Sequence, residues 1–218
     1  MARRRDALTR PRVIAAATAV ADRDGLTALT MRSLASELGV APMAVYHHVP
    51  NKEAILDGVV DAVFSEITLP DVGGDWRTEM RMRAASAREV LRRHPWAVGL
   101  LESRAAPGPA TLTHHDTVIA AFRAAGFSVR QTAHAMAVID SFVYGFAVQE
   151  ASLPFDDSES LDEVADGILD AETAERFPHL TELATVYVLE PGYSFGDEFD
   201  LGLDLILDGL DRLPRAAG

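Results

Sequence analysis

Residues 30–52 read TMRSLASELGVAPMAVYHHVPNK, two short helical patterns on either side of a three-residue turn. Thr30 is placed to cap the first pattern with its hydroxyl, Leu34, Ala35 and Leu38 form its inner face, and Gly39 supplies the left-handed backbone that ends it. Ala41 opens the second pattern, which runs to about His48 and stops before Pro50. Ala35 has to be small because the second helix crosses there, Gly39 has to accept a positive φ, and Val45 fills the wedge between the two helices. The steps from Ala35 to Gly39 and from Gly39 to Val45 fix the layout of a helix-turn-helix. The competing reading is an ordinary core hairpin that carries the same small residue and glycine by coincidence.

Apolar spacing is helical almost everywhere else. Upstream, Val13, Ile14, Ala17, Val20 and Ala21 recur at three- and four-residue steps between a cap at Thr9 and a stop at Gly25. Downstream, Asn51 caps a long helix with Ile55, Leu56, Val59, Val60, Val63, Phe64 and Ile67 on its inner face. A break follows at Gly73-Gly74. Trp76, Met80, Ala84, Ala87 and Leu91 then line a further helix up to Pro95, Trp96 to Leu101 make a short apolar turn, and Leu112, His115, Ile119 and Phe122 mark the next helix, ended by Gly126. Ser128 caps a run to about Glu150 that is apolar nearly all round, and the chain closes on Phe195, Phe199, Leu203, Ile206, Leu207 and Leu210. Residues 154–176 are strongly acidic, expected as a solvated, mobile loop with a weak helix near Leu161 to Leu169. The short β-like run Thr185 to Leu189 continues a helical stretch. The fold class is therefore all-α: a three-helix head over residues 1–52, a larger helical body over residues 53–218, and a long helix over residues 51–69 connecting the two.

Composition narrows the function. A chain of 218 residues with no Cys has no disulfide scaffold, thiolate zinc site or cysteine nucleophile. The N-terminus is basic but leads into an amphipathic segment instead of a secretory apolar core, and the richest apolar run, Ala133 to Val148, is interrupted by Asp140. A soluble cytoplasmic protein with no membrane partner is expected. The formal charge of −13 argues against nucleic acid until it is divided. Residues 1–50 hold seven Arg against Asp6, Asp22, Asp24 and Glu37, and the excess of acid lies entirely in the remainder. A short basic head on a long acidic body points to two modules with different partners, the head facing something anionic.

A basic helix-turn-helix places its second helix in the major groove of double-stranded DNA. Ala41, Pro42, Met43, Tyr46 and His47 then face outward while Val45 faces the protein. Pro42 and Met43 offer apolar contact, for which a thymine methyl is a natural partner, and Tyr46 and His47 can donate to phosphate or a base edge. Thr30 and Arg32 at the start of the preceding helix, and Lys52 at the start of the following one, sit where helix ends meet the backbone. Tyr46 can equally serve as a half-buried anchor.

These residues also resemble a known family. Thr30-Met31-Arg32-Ser33-Leu34-Ala35, Leu38-Gly39-Val40, Val45-Tyr46-His47-His48-Val49 and Asn51-Lys52 look like the DNA-binding head of the tetracycline-repressor (TetR) family. Gly126-Phe127-Ser128, Phe195-Gly196 and Leu205-Ile206-Leu207-Asp208-Gly209-Leu210 are similar to the effector domain of its tetracycline-repressor branch. The resemblance implies an all-helical homodimer that binds a DNA operator, with a pocket for a small molecule that lowers DNA affinity. The chain departs from it at two places, Gln149-Glu150 near the end of the apolar helix and, more consequentially, the stretch after the fifth helix. Tetracycline-binding members hold a drug-bound magnesium through a His after the fifth helix, where this chain has Gly99-Leu100-Leu101-Glu102, with His94 before Pro95. A tetracycline–magnesium chelate is therefore not the expected ligand, and no cofactor or metal is expected.

The residues themselves suggest an effector pocket among the helices carrying Phe64, Met80, Trp96, His115, Met136, Ile139, Asp140 and Val143, apolar walls with a few polar groups. Several of these can simply be core. Asp140 needs a partner on so apolar a helix: an Arg, a polar ligand group or the other subunit. His114 and His115 point about 100° apart on a helix and do not easily share one ion. Phe142 and Phe146, with Phe199, Leu203, Ile206 and Leu210, have more apolar surface than one small domain covers, which suggests a four-helix dimer interface. The expected function is a ligand-responsive repressor that binds a palindromic operator as a homodimer. An architectural DNA binder without effector is the alternative. An enzyme using His115 lacks any legible nucleophile, phosphate loop or metal-ligand spacing.

Overall fold

The computed structural model describes residues 7–154 and 171–214. In order they form α1 (Arg10–Asp24), α2 (Met31–Leu38), α3 (Pro42–Tyr46), α4 (Lys52–Glu66), α5 (Trp76–Arg93), α6 (Pro109–Ala124), α7 (Val129–Ser152), α8 (Ala171–Arg176), α9 (Pro178–Leu183) and α10 (Glu198–Asp211). No strand occurs among the described residues, so the all-α expectation holds. None of these helices is long and apolar enough to cross a membrane. The chain forms two compact units, residues 1–147 with 214–218, and residues 148–213.

Helix starts in the first unit follow the expected capping chemistry. The Thr9 hydroxyl accepts from the Arg12 N–H at α1, and the Asn51 side chain accepts from the Ala54 N–H at α4. At α2 the capping is reciprocal: the Thr30 hydroxyl accepts from the Ser33 N–H at 3.0 Å, and the Ser33 hydroxyl accepts from the Thr30 N–H at 2.9 Å. Gly39 ends α2 at φ 65°, and the Gly39 and Val40 N–H groups turn back to α2 carbonyls. A residue with a Cβ resists that backbone conformation, which is why the turn carries glycine. Helix α3 is shorter than expected, with the His48 and Val49 N–H groups closing a last turn on the Val45 carbonyl.

Val13, Ile14, Ala17, Val20, Leu29, Leu34, Ala35, Val45, Val49, Ile55 and Val59 form one buried cluster, with α4 contributing through its first half. Its second half is buried at Val60, Val63 and Phe64, and α4 also packs on α6. The one helix α4 therefore joins the cluster built with α1, α2 and α3 to α6.

In the second unit, Tyr187 donates to Glu198 at 2.5 Å and stacks edge-on against Tyr193. The wide turn Ala184–Val188 continues α9, as the helical reading of Thr185 to Leu189 expects. The loop expected over residues 154–176 is helical from Ala171, where Glu172 in the first turn and Arg176 in the last complement the helix dipole. The weak helix expected near residues 161–169 lies outside the described residues.

Candidate nucleic-acid interface and effector site

Helix α3 is held from one side only. Val45 has no exposed surface, whereas Met43 is 67% exposed and Tyr46 44% exposed on the opposite side. Ala41, Pro42 and His47 are exposed beside them, and so are Thr30 and Arg32 near the start of α2 and Lys52 at the start of α4. All eight side chains put forward for DNA thus lie in solvent. The Thr30 hydroxyl is already engaged as the cap of α2. Ala41, the N-cap residue of α3, has no side-chain acceptor, so the N-terminal amides of that helix have no side-chain cap. Such amides and the adjoining helix dipole favour phosphate.

Two straps tie α4 to α6 and the connection before it. Arg104, in the connection before α6, donates to Asp57 at 2.7 Å and Glu53 at 2.6 Å. Asp61 accepts from the Thr111 backbone N–H at 2.8 Å and from its hydroxyl at 3.1 Å, capping α6 from a neighbouring helix because Gly108 has no side chain to do so. A Cβ at Gly108 would come within 2.3 Å of the Asp61 carboxylate, so the close approach requires glycine.

A buried polar cluster joins α5, α6 and α7. Arg83, 3% exposed, donates through Nε to His114 Nε2 at 3.0 Å and through Nη2 to Asp140 at 2.7 Å. The partner that Asp140 needs on its apolar helix is therefore an Arg of the same chain. Burial foremost, then the charge of Arg83 and the neighbouring His115, pushes the His114 pKa down to about 3. Phe64 lies 5.2 Å, ring centre to ring centre, from both His114 and His115. His115 contacts the Thr111 carbonyl through Nδ1. Tyr144, close to Asp140, has its pKa raised, chiefly by burial. Arg83 escaped the sequence reading, and His114 was weighed there only as a metal ligand, although Arg83 lies three residues from Met80 on the same helical face, a signal that a buried partner for Asp140 was at hand.

Of the other proposed pocket residues, Met80, Ile139 and Val143 are buried on α5 and α7, and Met136 is half-buried. Trp96 departs from expectation. It packs against the head cluster, and its indole N–H donates to Asp22 of α1 at 2.7 Å. His94 Nδ1 meets the same Asp22 oxygen at 2.7 Å, so the chain after Pro95 turns toward α1. A cavity of about 420 Å³ lies along α1 and α4, lined by residues that include Ile14, Thr18, Asp61 and Ser65. None of the eight proposed pocket residues lines it.

The side chains expected at a dimer contact differ in their exposure. Phe146, Phe199, Leu203 and Leu210 are buried within a single chain, and Phe142 and Ile206 are half-buried. Large apolar side chains left open include Val129, Val138 and Val148 on α7 and Leu201 and Leu205 on α10. Helical spacing assigns a stripe to a face but cannot say whether that face is covered by the chain itself or by a second copy.

A helix-turn-helix braced inside an all-helical chain, with its second helix open to solvent, defines a DNA-binding transcriptional regulator. Residues 13–59 match the family described as bacterial regulatory proteins, tetR family, and residues 69–213 match the tetracyclin repressor-like C-terminal domain. The chain belongs to the TetR family. It is 38% identical over 145 residues to an HTH-type transcriptional regulator of Saccharopolyspora erythraea, a match covering 66% of this chain and 61% of that relative. It is 32% identical over 224 residues to the HTH-type transcriptional repressor DrrR1 of Streptomyces coeruleorubidus, covering 94% of this chain and 78% of that one. Among solved structures, the TetR family protein ActR of Streptomyces coelicolor in complex with actinorhodin superposes with a TM-score of 0.76 at 27% identity. The superposition covers 94% of this chain and 96% of that one.

Proposed function

We propose that this protein is a ligand-responsive transcriptional repressor that binds a palindromic operator as a homodimer and leaves it when a small-molecule effector binds. The observation that carries this reading is the one-sided support of α3, with Val45 buried and Met43 and Tyr46 in solvent. Residues 1–52 act as the head and 53–218 as the body. Ala41, Pro42, Met43, Tyr46 and His47 meet base edges and phosphates in the major groove, while Thr30, Arg32 and Lys52 hold the flanking backbone.

The effector is taken up among Phe64, Met80, His115, Met136, Ile139, Asp140 and Val143. Support comes from ActR, a relative solved with actinorhodin bound. Transmission uses α4, because the straps Arg104–Glu53, Arg104–Asp57 and Thr111–Asp61 make a displacement of the chain before α6 a displacement of the head. The effector selects a dimer whose heads are wrongly spaced for successive major grooves, and by linkage operator DNA loosens the effector by the same factor.

We assign Val138 and Val148 on α7, and separately Leu201 and Leu205 on α10, to contacts with a second copy. Two heads then read half-sites about one helical turn apart, roughly 34 to 36 Å. The protein acts in the cytoplasm, on the DNA, and carries out no catalysis.

Selection of bound sequences from random duplex DNA tests this function. A palindrome with half-sites about one turn apart is expected, bound by a dimer with steep salt dependence. Equal affinity for scrambled DNA would instead mark an architectural binder.

A further inference from the structure

Within the effector reading above, on which this inference rests, the buried cluster of Arg83, His114 and Asp140 specifies the ligand's chemistry. Arg83 is always protonated and its Nε–H points at His114 Nε2, so that nitrogen keeps its lone pair for the hydrogen bond. A neutral imidazole must then carry its one proton on Nδ1. That N–H is completely buried and has no hydrogen-bond partner among the described residues. Buried donors are nearly always satisfied, and an exception needs an explanation.

We propose that His114 Nδ1–H is the donor that recognises the effector, and that the effector presents to it an uncharged acceptor oxygen on an aromatic frame, a ketone or quinone carbonyl. Three features of the cluster select this class. The Arg83 charge beside His114 is already neutralised by Asp140 at 2.7 Å, so a carboxylate or phosphate gains no free guanidinium there. A cationic group finds no free anion either, because the Asp140 carboxylate is held by Arg83. His114 has no lone pair left for a metal chelate, with Nε2 committed to Arg83 and Nδ1 to its proton. The frame is aromatic because the rings of Phe64, His114 and His115 already cluster with centres 5.2 to 5.8 Å apart, spacings at which aromatic pairs attract.

The test uses 9-fluorenone and fluorene, two uncharged tricycles that differ by one carbonyl oxygen. Titration of the full-length protein by calorimetry is expected to give tighter binding of fluorenone by roughly ten- to a hundredfold, the span of one buried hydrogen bond. In protein carrying ¹⁵N-labelled histidine, the His114 Nδ1–H resonance is expected to shift with fluorenone and to stay in place with fluorene. His114→Phe keeps the ring and is expected to bind the two tricycles equally. His114→Gln, whose carbonyl can accept from Arg83 while its amide donates, is expected to restore the preference. Equal affinity of the wild type for the two tricycles, or a preference that survives in His114→Phe, overturns the inference. A compound that releases the protein from its operator without moving the His114 signal overturns it too, yet leaves the sensor reading standing. Movement of that signal by fluorenone, together with operator affinity that no ligand changes, supports the donor and removes the sensor.

Discussion

The Asp61 carboxylate on α4 caps α6 by accepting the Thr111 backbone N–H at 2.8 Å. This bond links residues fifty positions apart and supplies α6 with the cap that its own N-terminus lacks. It also fixes the distance between the helix that enters the head and the helix that lines the buried polar cluster.

Loss of this cap has a defined cost. Asp61→Ala is expected to lower unfolding free energy by about 1–2 kcal/mol, the usual range for a removed N-cap. Gly108→Ala is expected to cost about 1–3 kcal/mol, because its Cβ drives the Asp61 carboxylate away. Since both changes break the same contact, the double variant should lose less than the sum of the two. Urea denaturation of the four proteins measures the cycle, and strict additivity would show that the two residues act separately.

The brace and the open side of α3 should separate cleanly. Val45→Ala is expected to cost about 1.5–3 kcal/mol of stability, as a fully buried valine does. Met43→Ala should change stability by no more than about 0.5 kcal/mol, since the side chain lies in solvent. DNA affinity should fall in Met43→Ala even though its melting curve is unchanged. A Met43→Ala protein that melts early would place that side chain in a contact the fold does not contain.

Acid should weaken the fold through His114. The imidazole titrates ordinarily at 6.5 and is pushed down to about 3 by burial and by Arg83. A base with a depressed folded pKa is protonated first in the unfolded chain, so the stability present above 6.5 is lost as pH falls toward about 3. The slope for this one proton approaches about 1.4 kcal/mol per pH unit. His114→Phe removes that slope. The stability difference between wild type and variant should therefore shrink steadily from pH 7 to pH 4.5 in urea melts, and a constant difference contradicts the assignment.

The Arg83–Asp140 pair should be costly to break singly and cheap to replace whole. Asp140→Ala leaves the Arg83 guanidinium, 3% exposed, without its counter-charge, and a loss of about 3–5 kcal/mol is expected. Replacing both, Arg83→Met with Asp140→Leu, should cost less than the single change. Thermal unfolding of the three proteins decides it.

Local chemistry at fixed offsets was legible in the sequence. Thr9, Thr30 and Asn51 cap as their positions require, Gly39 takes the left-handed conformation, and Ala35 and Val45 are buried. Each depends on neighbours within one or two turns, so a single sequence contains the whole argument. Contacts across the chain were not legible. Nothing local places Arg83 beside Asp140, Asp61 at the start of α6, or Trp96 against Asp22, because the turn after Pro95 decides which helix it meets. For His114 and His115 the spacing shows that the rings diverge, but only packing reveals that His114 is the one enclosed. The apolar stripe of α10 was correctly read as a stripe, yet Phe199 and Leu203 are covered by their own chain while Leu201 and Leu205 stay open.

The central claim, that α3 reads duplex DNA with its outer side, is tested most directly by measuring affinity for the selected palindrome in wild type, Tyr46→Ala and Lys52→Ala as salt is varied. Tyr46→Ala is expected to bind the palindrome more weakly, with its preference over scrambled DNA reduced. Lys52→Ala is expected to weaken binding to both duplexes alike and to flatten the salt dependence by about one charge. Both variants should remain folded and retain the wild-type oligomeric state. Wild-type affinity and salt dependence in both variants would contradict the account.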